Sequence, residues 1–525
     1  MAIAASLHSN ASKGAASAPV KEQKQLLRFS PSEWAWPLAF LLSLAMVGLR
    51  FPLGYLLVPA ILLVRFRLDR YDFLIMLTLA LGGYGSATAD SWGIHTQYFV
   101  ILAGGVGYVV LKKNKMLDKS MIAWGLYALA LIFFASLSEL SFRLQFPKIC
   151  RYLSVIYFVI PLLVFSGKEF DIRQFWRKVM PYVFIMCIFY IIDAAIFSGN
   201  VLVPTTHIFN DAKSYFYDLY WNPLSGRIFR KYPPGLYIMV LALLPAARYY
   251  RLRVWQWIVI AGGMLVTYTF TFISGMIVGY IICQNNKKLI LRYATIGVVI
   301  LGVLYAVDSK LPTMSMYDTT TYAKPQTTLR IKSSIDQIID MFKAKDEEDW
   351  VVLGTGRFGQ AIPKIALLYE EDREWIGFGF LDVVENAPAK YVIYNDLYFE
   401  QYSEENWEVA NDIEIMALEV FCTIGFVGLL LHVLYFVYMW FTVRRCRNVG
   451  YFLSVLFMFL WLGMTGFEGL TRVMSLYFVG LSYGIVLLTN RPWQLKREHE
   501  RERKECEAKQ LAEASDAAEA ERSEA

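Results

Sequence analysis

Apolar residues along this chain are gathered in blocks long enough to cross a bilayer, which takes about 17–25 helical residues each. Fourteen such runs stand out, at roughly 34–49, 51–66, 71–86, 93–111, 121–138, 151–167, 180–198, 234–249, 254–271, 273–284, 289–306, 412–442, 450–467 and 472–490. The pattern predicts an all-α polytopic membrane protein of about fourteen transmembrane helices with one large extracytoplasmic, mainly helical loop domain. Residues 1–33 read as a polar tail, because a cleavable signal peptide needs its apolar core nearer the start. Residues 34–306 hold the first eleven helices and a loop at 200–233; residues 307–411 form the large loop. Residues 412–490 hold the last three helices, and 491–525 form a charged tail rich in Ala, Glu, Lys and Arg.

Composition sharpens this picture. The 525 residues are 56% apolar and only 18% charged, below the roughly one quarter charged that soluble domains carry. A disordered chain is excluded and a soluble globule disfavoured. The six cysteines show no metal-ligand spacing and stay out of the large loop, so neither a disulfide framework nor a zinc site is indicated.

Charge gives sidedness. Retained cytoplasmic loops are rich in Lys and Arg, and alternate connections here are basic: Arg65/Arg67/Arg70, Lys112/Lys113/Lys115/Lys119, Lys168/Arg173/Arg177/Lys178, Arg248/Arg251/Arg253, Lys287/Lys288/Arg292 and Arg444/Arg445/Arg447. Both termini are therefore expected in the cytoplasm of a multi-pass protein of the inner membrane. The net charge of +6 conceals a division, since residues 308–412 hold 20 acidic and 10 basic side chains. An acidic insert faces outward from a basic body. On that outer side Arg143, Lys148, Arg227, Arg230, Lys231 and Arg472 stand as exceptions.

The chemistry is expected in the two long outer loops. In the insert, Leu329, Ile331, Ile335, Ile338, Ile339 and Phe342 fall at mostly helical spacings, which suits a helical cap on the outer face. Its aromatics, among them Trp350, Tyr369, Trp375, Phe378, Phe380 and Trp407, suit sugar stacking or, more simply, packing and interface seating. Arg227, Arg230 and Lys231 precede a Pro-Pro-Gly helix start, and Arg330 opens the amphipathic segment. The planar fork of arginine matches phosphate oxygens two at a time, so an anionic headgroup or lipid-linked diphosphate is the natural partner. The plain alternative is pairing with carboxylates of the insert. Asp193, Glu139 and Glu468 near outer helix ends imply an outward polar cavity, with Arg472 a ready partner for Glu468. Gly354, Gly356 and Gly359 fit a dinucleotide fingerprint, but lack its strand–helix context and read as a glycine turn. The scattered histidines make neither a metal pair nor a triad.

The elements Gly226–Gly235, with its arginines and prolines, Thr271 and Ser274, Arg330, Gly354-x-Gly356, Asn411-Asp412 and Gly425-x-x-Gly428 follow one another in a telling order. That order resembles the O-antigen ligase and polymerase superfamily, bacterial inner-membrane glycosyltransferases of the C type that use lipid-linked sugars. The resemblance spans about Asn200 to Leu430. Two departures stand out: Ser274-Gly275 where the family often has Ser-Arg, and Ala410-Asn411 where it often has His-Asn. Loss of that histidine favours a chain polymerase over a ligase.

The resemblance implies an undecaprenyl-diphosphate-linked oligosaccharide as donor and as acceptor, with no cofactor and no metal. Arginines would stabilise the charge that develops on the diphosphate leaving group. Arg230 or Arg227, with Arg330, would hold that diphosphate, assisted by Lys231. Asp412 would orient or deprotonate the acceptor hydroxyl beside Asn411, and the Gly354–Gly356 turn would let backbone approach closely. A chain-length regulator or other polysaccharide-assembly protein is an expected partner; nucleic acid is not. The competing readings are a lipid-linked oligosaccharide flippase, a ligase, or a receptor whose acidic cap binds another protein.

Overall fold

The computed structural model describes residues 25–49, 51–83, 115–138, 142–196, 249–265, 371–380, 415–446, 448–464 and 470–491, together with isolated positions elsewhere. Helices dominate, in this order: α1 (Pro31–Gly48), α2 (Pro52–Leu68), α3 (Arg70–Thr78), α4 (Lys115–Ser136), α5 (Phe142–Leu153), α6 (Val159–Val164), α7 (Ile172–Ala195), α8 (Val254–Leu265), α9 (Met416–Val443), α10 (Val449–Met464) and α11 (Leu470–Thr489). Four two-residue strands complete the set: β1 (Gln25–Leu26), β2 (Trp221–Asn222), β3 (Arg227–Ile228) and β4 (Tyr250–Arg251). Among the described residues, three helical stretches are long and apolar enough to cross a membrane: Lys119–Ser136, Ile172–Asp193 and Met416–Val443. The protein is thus mainly helical and has the helices of a membrane protein.

Local sequence explains most helix starts. Pro31 occupies the first turn of α1, where its missing N–H costs nothing, and the Glu33 carboxylate accepts the Ser30 N–H at 2.8 Å. Asp69 caps α3 by accepting from the N–H groups of Tyr71 and Asp72, and Asp171 caps α7 through Arg173 N–H at 2.8 Å. After α3 the helix widens into a π-turn at Leu79–Gly83. Between α5 and α6 it tightens into a 3₁₀ turn at Ser154–Phe158. Helix α11 lies against that tightened turn, and Gly480 and Gly484 make the approach possible. A Cβ at Gly480 would stand 2.3 Å from the Val155 carbonyl oxygen, and one at Gly484 2.3 Å from that of Phe158. This is the small-xxx-small contact by which membrane helices reach van der Waals distance.

One end of the bundle gathers the cationic connections. The C-terminus of α6 leaves carbonyls without helical partners, and arginines from two distant segments take them. Arg70 donates to Val164 O at 2.6 Å; Arg491 donates to Phe165 O at 2.9 Å and to Leu162 O at 3.1 Å. Beside them Arg65 pairs with Asp72, and with Asp69 at 3.3 Å, while Lys178 reaches Asp69 at 2.9 Å. Arg177 meets Glu33 at 3.1 Å. Strand β1 joins β4 in parallel with Gln25 opposite Tyr250, and the Tyr249 hydroxyl donates to Asn448 at 3.3 Å. The opposite ends of α4, α5 and α9 meet residues 373–380 of the acidic insert.

The spans expected at 34–49, 51–66, 71–86, 450–467 and 472–490 agree with described helices to within a few residues, while those expected at 121–138 and 180–198 begin six and eight residues earlier, at Lys115 and Ile172. Two others differ in an informative way. The span expected at 151–167 begins nine residues earlier, at Phe142, because a cation-bearing amphipathic turn is invisible to a hydropathy reading. The run expected at 412–442 is helical from Met416 but broken at Gly425. The fourteen-run count and the insert's helical segment at 329–342 fall largely outside the described residues.

Replacing Gly484 with Val would push a branched side chain into the Phe158 carbonyl. Overpacking of this kind costs about 1–3 kcal/mol. The variant should unfold at a lower temperature in detergent, while a substitution at the exposed Leu126 should leave the midpoint unchanged.

Candidate functional site

Helix α9 is interrupted where the acidic insert touches it. Gly425 has φ +63° and ψ −171°, a conformation essentially restricted to glycine. In an unbroken helix Phe426 N–H would bond Cys422 O, and Val427 N–H would bond Thr423 O. Instead Phe426 N–H donates to Glu374 O at 2.9 Å and Val427 N–H to Trp375 O at 3.3 Å. The two released carbonyls are taken in turn, Cys422 O by Phe378 N–H at 3.0 Å and Thr423 O by Gly379 N–H at 2.8 Å. The segment 374–379 has therefore inserted itself into the hydrogen-bond ladder of a helix long and apolar enough to cross a membrane. These four backbone groups of α9 are each matched by one from the insert, as a low-dielectric setting demands.

Close backbone approach makes this possible. A Cβ on Gly425 would lie 2.3 Å from the Trp375 carbonyl carbon, and one on Gly377, itself at φ +73°, would lie 2.5 Å from Thr423 carbonyl atoms. Leu368 and Phe378 of the insert bury against Ile415, Phe421 and Cys422 of α9 and its approach. Further along, the buried Gln145 of α5 joins two elements: its side-chain amide donates to Ala135 O at 2.8 Å and accepts Phe380 N–H at 3.0 Å. The insert is thereby tied to α4, α5 and α9 at once.

Below this junction, toward the bundle interior, lies a polar layer. The Tyr127 hydroxyl and His432 Nδ1 are 2.7 Å apart. Both residues are buried, as are Glu419 and Thr423. Tyr152 presents its ring edge to Phe380, with centroids 5.5 Å apart, and to His432 at 5.8 Å. His432 Nε2 has no hydrogen-bond partner among the described residues. At the solvent-exposed rim of the junction, Trp375 is 60% exposed and its ring lies 5.8 Å from that of Phe426. An exposed aromatic face beside polar backbone can stack on a sugar ring or sit at a headgroup boundary. Among the described residues no three His, Cys, Asp or Glu side chains converge as a metal site would require.

The sequence-predicted residues are unevenly placed. Arg230, Lys231, Arg330, Gly354, Gly356, Asn411 and Asp412 lie outside the described residues, as do Thr271, Ser274, Glu139 and Glu468. Of Arg227 the backbone is described: it sits in β3, paired antiparallel with Asn222 of β2. Asp193 is fully buried and accepts the Leu202 N–H at 3.0 Å, so it fastens the start of the 200–233 loop to α7. Among the insert aromatics, Tyr369 and Trp375 are exposed whereas Phe378 and Phe380 are core residues. Asp412 precedes α9 by four positions, on the same chain entry that leads to the break.

The aromatics Phe378 and Phe380 are conspicuous in the sequence, but the role of Gly377 and Gly379 is not: two glycines alternating with aromatics two positions after Trp375 form a weaker pattern than the one at Gly354. The role of His432 is equally hidden, since a lone histidine within an apolar run carries no spacing. No protein-family model matches the chain, and no curated protein matches it.

Alanine at Gly425 should prevent the junction from closing. The strain alone is about 1–3 kcal/mol, and the clash with Trp375 adds to it. Limited proteolysis should then cut the 371–380 segment faster than in the wild-type protein, with a lower thermal midpoint in detergent.

Proposed function

We propose that this chain is an extracytoplasmic polymerase, a metal-independent glycosyltransferase that joins polyprenyl-diphosphate-linked oligosaccharide repeat units into a surface polysaccharide or exopolysaccharide. On this reading it crosses the bacterial inner membrane about fourteen times with both termini in the cytoplasm. The observation that carries the reading is the polarity of the bundle. Cationic connections collect at one end, around Arg65, Arg70, Arg177, Lys178 and Arg491, while residues 373–380 of the acidic insert seat at the other end of the same helices. Positive connections mark the cytoplasmic side, which turns the insert and the 200–233 loop outward. Lipid-linked repeat units are met on that side.

The reaction would need little machinery. Arg230 or Arg227 and Arg330 would neutralise the leaving diphosphate, and Asp412 would receive the acceptor hydroxyl proton as the new glycosidic bond forms. Lys231, Asn411 and the Gly354–Gly356 turn complete the substrate site. The Gly425 junction supports this assignment physically, because it anchors the first half of α9, the helix that begins four positions after Asp412. A chain-length regulator is a fitting partner on the same face.

A second reading, a transporter of the lipid-linked oligosaccharide, is favoured by one observation, the broken helix α9. Carriers use such breaks to expose backbone groups to a substrate. Here the exposed groups are already taken by residues 374–379, which leaves the polymerase reading ahead.

Purified protein incubated with lipid-linked repeat units, without sugar nucleotide or added metal, should produce longer lipid-linked chains. Arg230→Ala and Arg330→Ala should reduce elongation by about a hundredfold or more, the scale seen when one preorganised donor to developing charge is removed. Folded wild-type protein that moves the substrate between leaflets of a proteoliposome but never lengthens it supports the transporter instead. A cysteine introduced at Asp346 should label only from the outer side of intact cells.

A further inference from the structure

His432 is 3% exposed and spends one ring nitrogen, Nδ1, on the Tyr127 hydroxyl. The direction of that hydrogen bond follows from counting the groups it leaves without partners. If the phenol donates, one group is left over, the ring N–H at Nε2. If the ring donates, both the phenol O–H and a bare Nε2 lack partners among the described residues. Each such group is costly in a buried site. The phenol therefore donates, and His432 holds an N–H donor turned away from Tyr127. Tyr152 and Phe436 fix the imidazole in place, their rings standing at 75° and 83° to it with centroids 5.8 Å and 4.8 Å away.

The charge that bears on this ring is the Glu419 carboxylate, from the other half of the same helix. An unbroken helix would set the two residues about 20 Å apart along its axis. The break at Gly425 folds the helix instead. A Cβ at Gly428 would stand 2.4 Å from the Ile424 Cβ, whereas Cβ atoms four positions apart in a regular helix are about 5–6 Å apart. Glu419 is thereby brought toward the polar layer, where it is buried with Thr423, whose hydroxyl donates to Glu419 O at 2.7 Å. Nε2 makes no direct hydrogen bond to the carboxylate. A donor and a carboxylate that share one buried layer without touching are the partners that hold an internal water, which accepts from one and donates to the other.

We propose that water is bound beneath the insert between His432 Nε2 and the Glu419 carboxylate, joining the two halves of α9 across the Gly425 break. In the row Tyr127, His432, water, Glu419 each donor then meets an acceptor. The row does with side chains what residues 374–379 do with backbone, tying the segment before the break to the one after it. Tyr152 stands between this layer and the insert, with ring contacts to both Phe380 and His432, so the seated insert closes the layer from its own side. The inference does not depend on which reaction the chain performs.

The test is radiolytic hydroxyl-radical labelling of the full chain in nanodiscs prepared in heavy-oxygen water, which marks side chains beside ordered water whether or not bulk solvent reaches them. Normalised for intrinsic reactivity, Tyr127 and His432 should take up label well above the level of the fully buried Phe184. His432→Asn keeps a polar atom for Tyr127 and removes Nε2, so in this variant the label at Tyr127 should fall to the Phe184 level. A thermal-midpoint cycle of His432→Asn and Glu419→Leu should be non-additive, the double variant losing less than the two single shifts together, because both residues share one water. Should a variant fail to fold, the comparison of Tyr127 and His432 with Phe184 in the wild-type protein still decides the matter. Label at Tyr127 and His432 no higher than at Phe184 overturns the proposal, whether all three stay dark, which means a dry site, or all three are marked, which means water permeating the bundle. Additive midpoint shifts in folded variants overturn it as well, since the two side chains then share nothing.

Discussion

Four backbone hydrogen bonds between residues 374–379 and the break at Gly425 hold the described part of the acidic insert to the membrane body. A hydrogen bond in water is worth about 0.5–1.5 kcal/mol net. Within a bilayer the comparison changes, because each backbone group left without a partner costs several kcal/mol. The inserted segment and the broken helix therefore depend on each other. Helix α9 can only be interrupted there because the insert supplies the missing partners, and the insert can only hold that backbone shape because α9 is interrupted. Gly425 and Gly377 permit the mutual approach of the two backbones, and Gly379, at φ +94°, has space for no Cβ against Ser138.

The rest of the bundle is arranged around helices that this junction connects. Gln145 extends it sideways to α4 and α5, and the Gly480/Gly484 face of α11 presses on the 3₁₀ turn that follows α5. At the far end the same continuous run, α5 to α6, terminates in carbonyls capped by Arg70 and Arg491. The run is thus held at one end by side-chain cations and at the other by the Gln145 side-chain amide, which accepts the Phe380 N–H. Charge caps the helix terminus at one end, and hydrogen-bond matching completes the interrupted helix α9 at the other.

Helix positions and the basic end were legible in the sequence because both depend on long-range averages: apolar run length and the side on which Lys and Arg collect. The break at Gly425 was not, although Gly425-x-x-Gly428 stands out as a motif. An apolar run reads the same whether or not its ladder is interrupted, and the partner backbone lies some fifty positions earlier. Helix α5 was missed in its first half for a related reason: Arg143, Lys148 and Arg151 depress hydropathy and mimic a loop. The proposed catalytic residues, Arg230, Arg330 and Asp412, rest on residue type and order alone. The Tyr127–His432 pair was invisible because it joins residues three hundred positions apart with no local signature.

Residue-resolved amide hydrogen exchange in nanodiscs tests the grafted helix most directly. The amides of Phe378, Gly379, Phe426 and Val427 should be protected to a similar degree, since each bond exists only while the others do. Rapid exchange at Phe378 and Gly379, with Phe426 and Val427 still protected, would mean that α9 closes its own ladder and that the insert does not complete it.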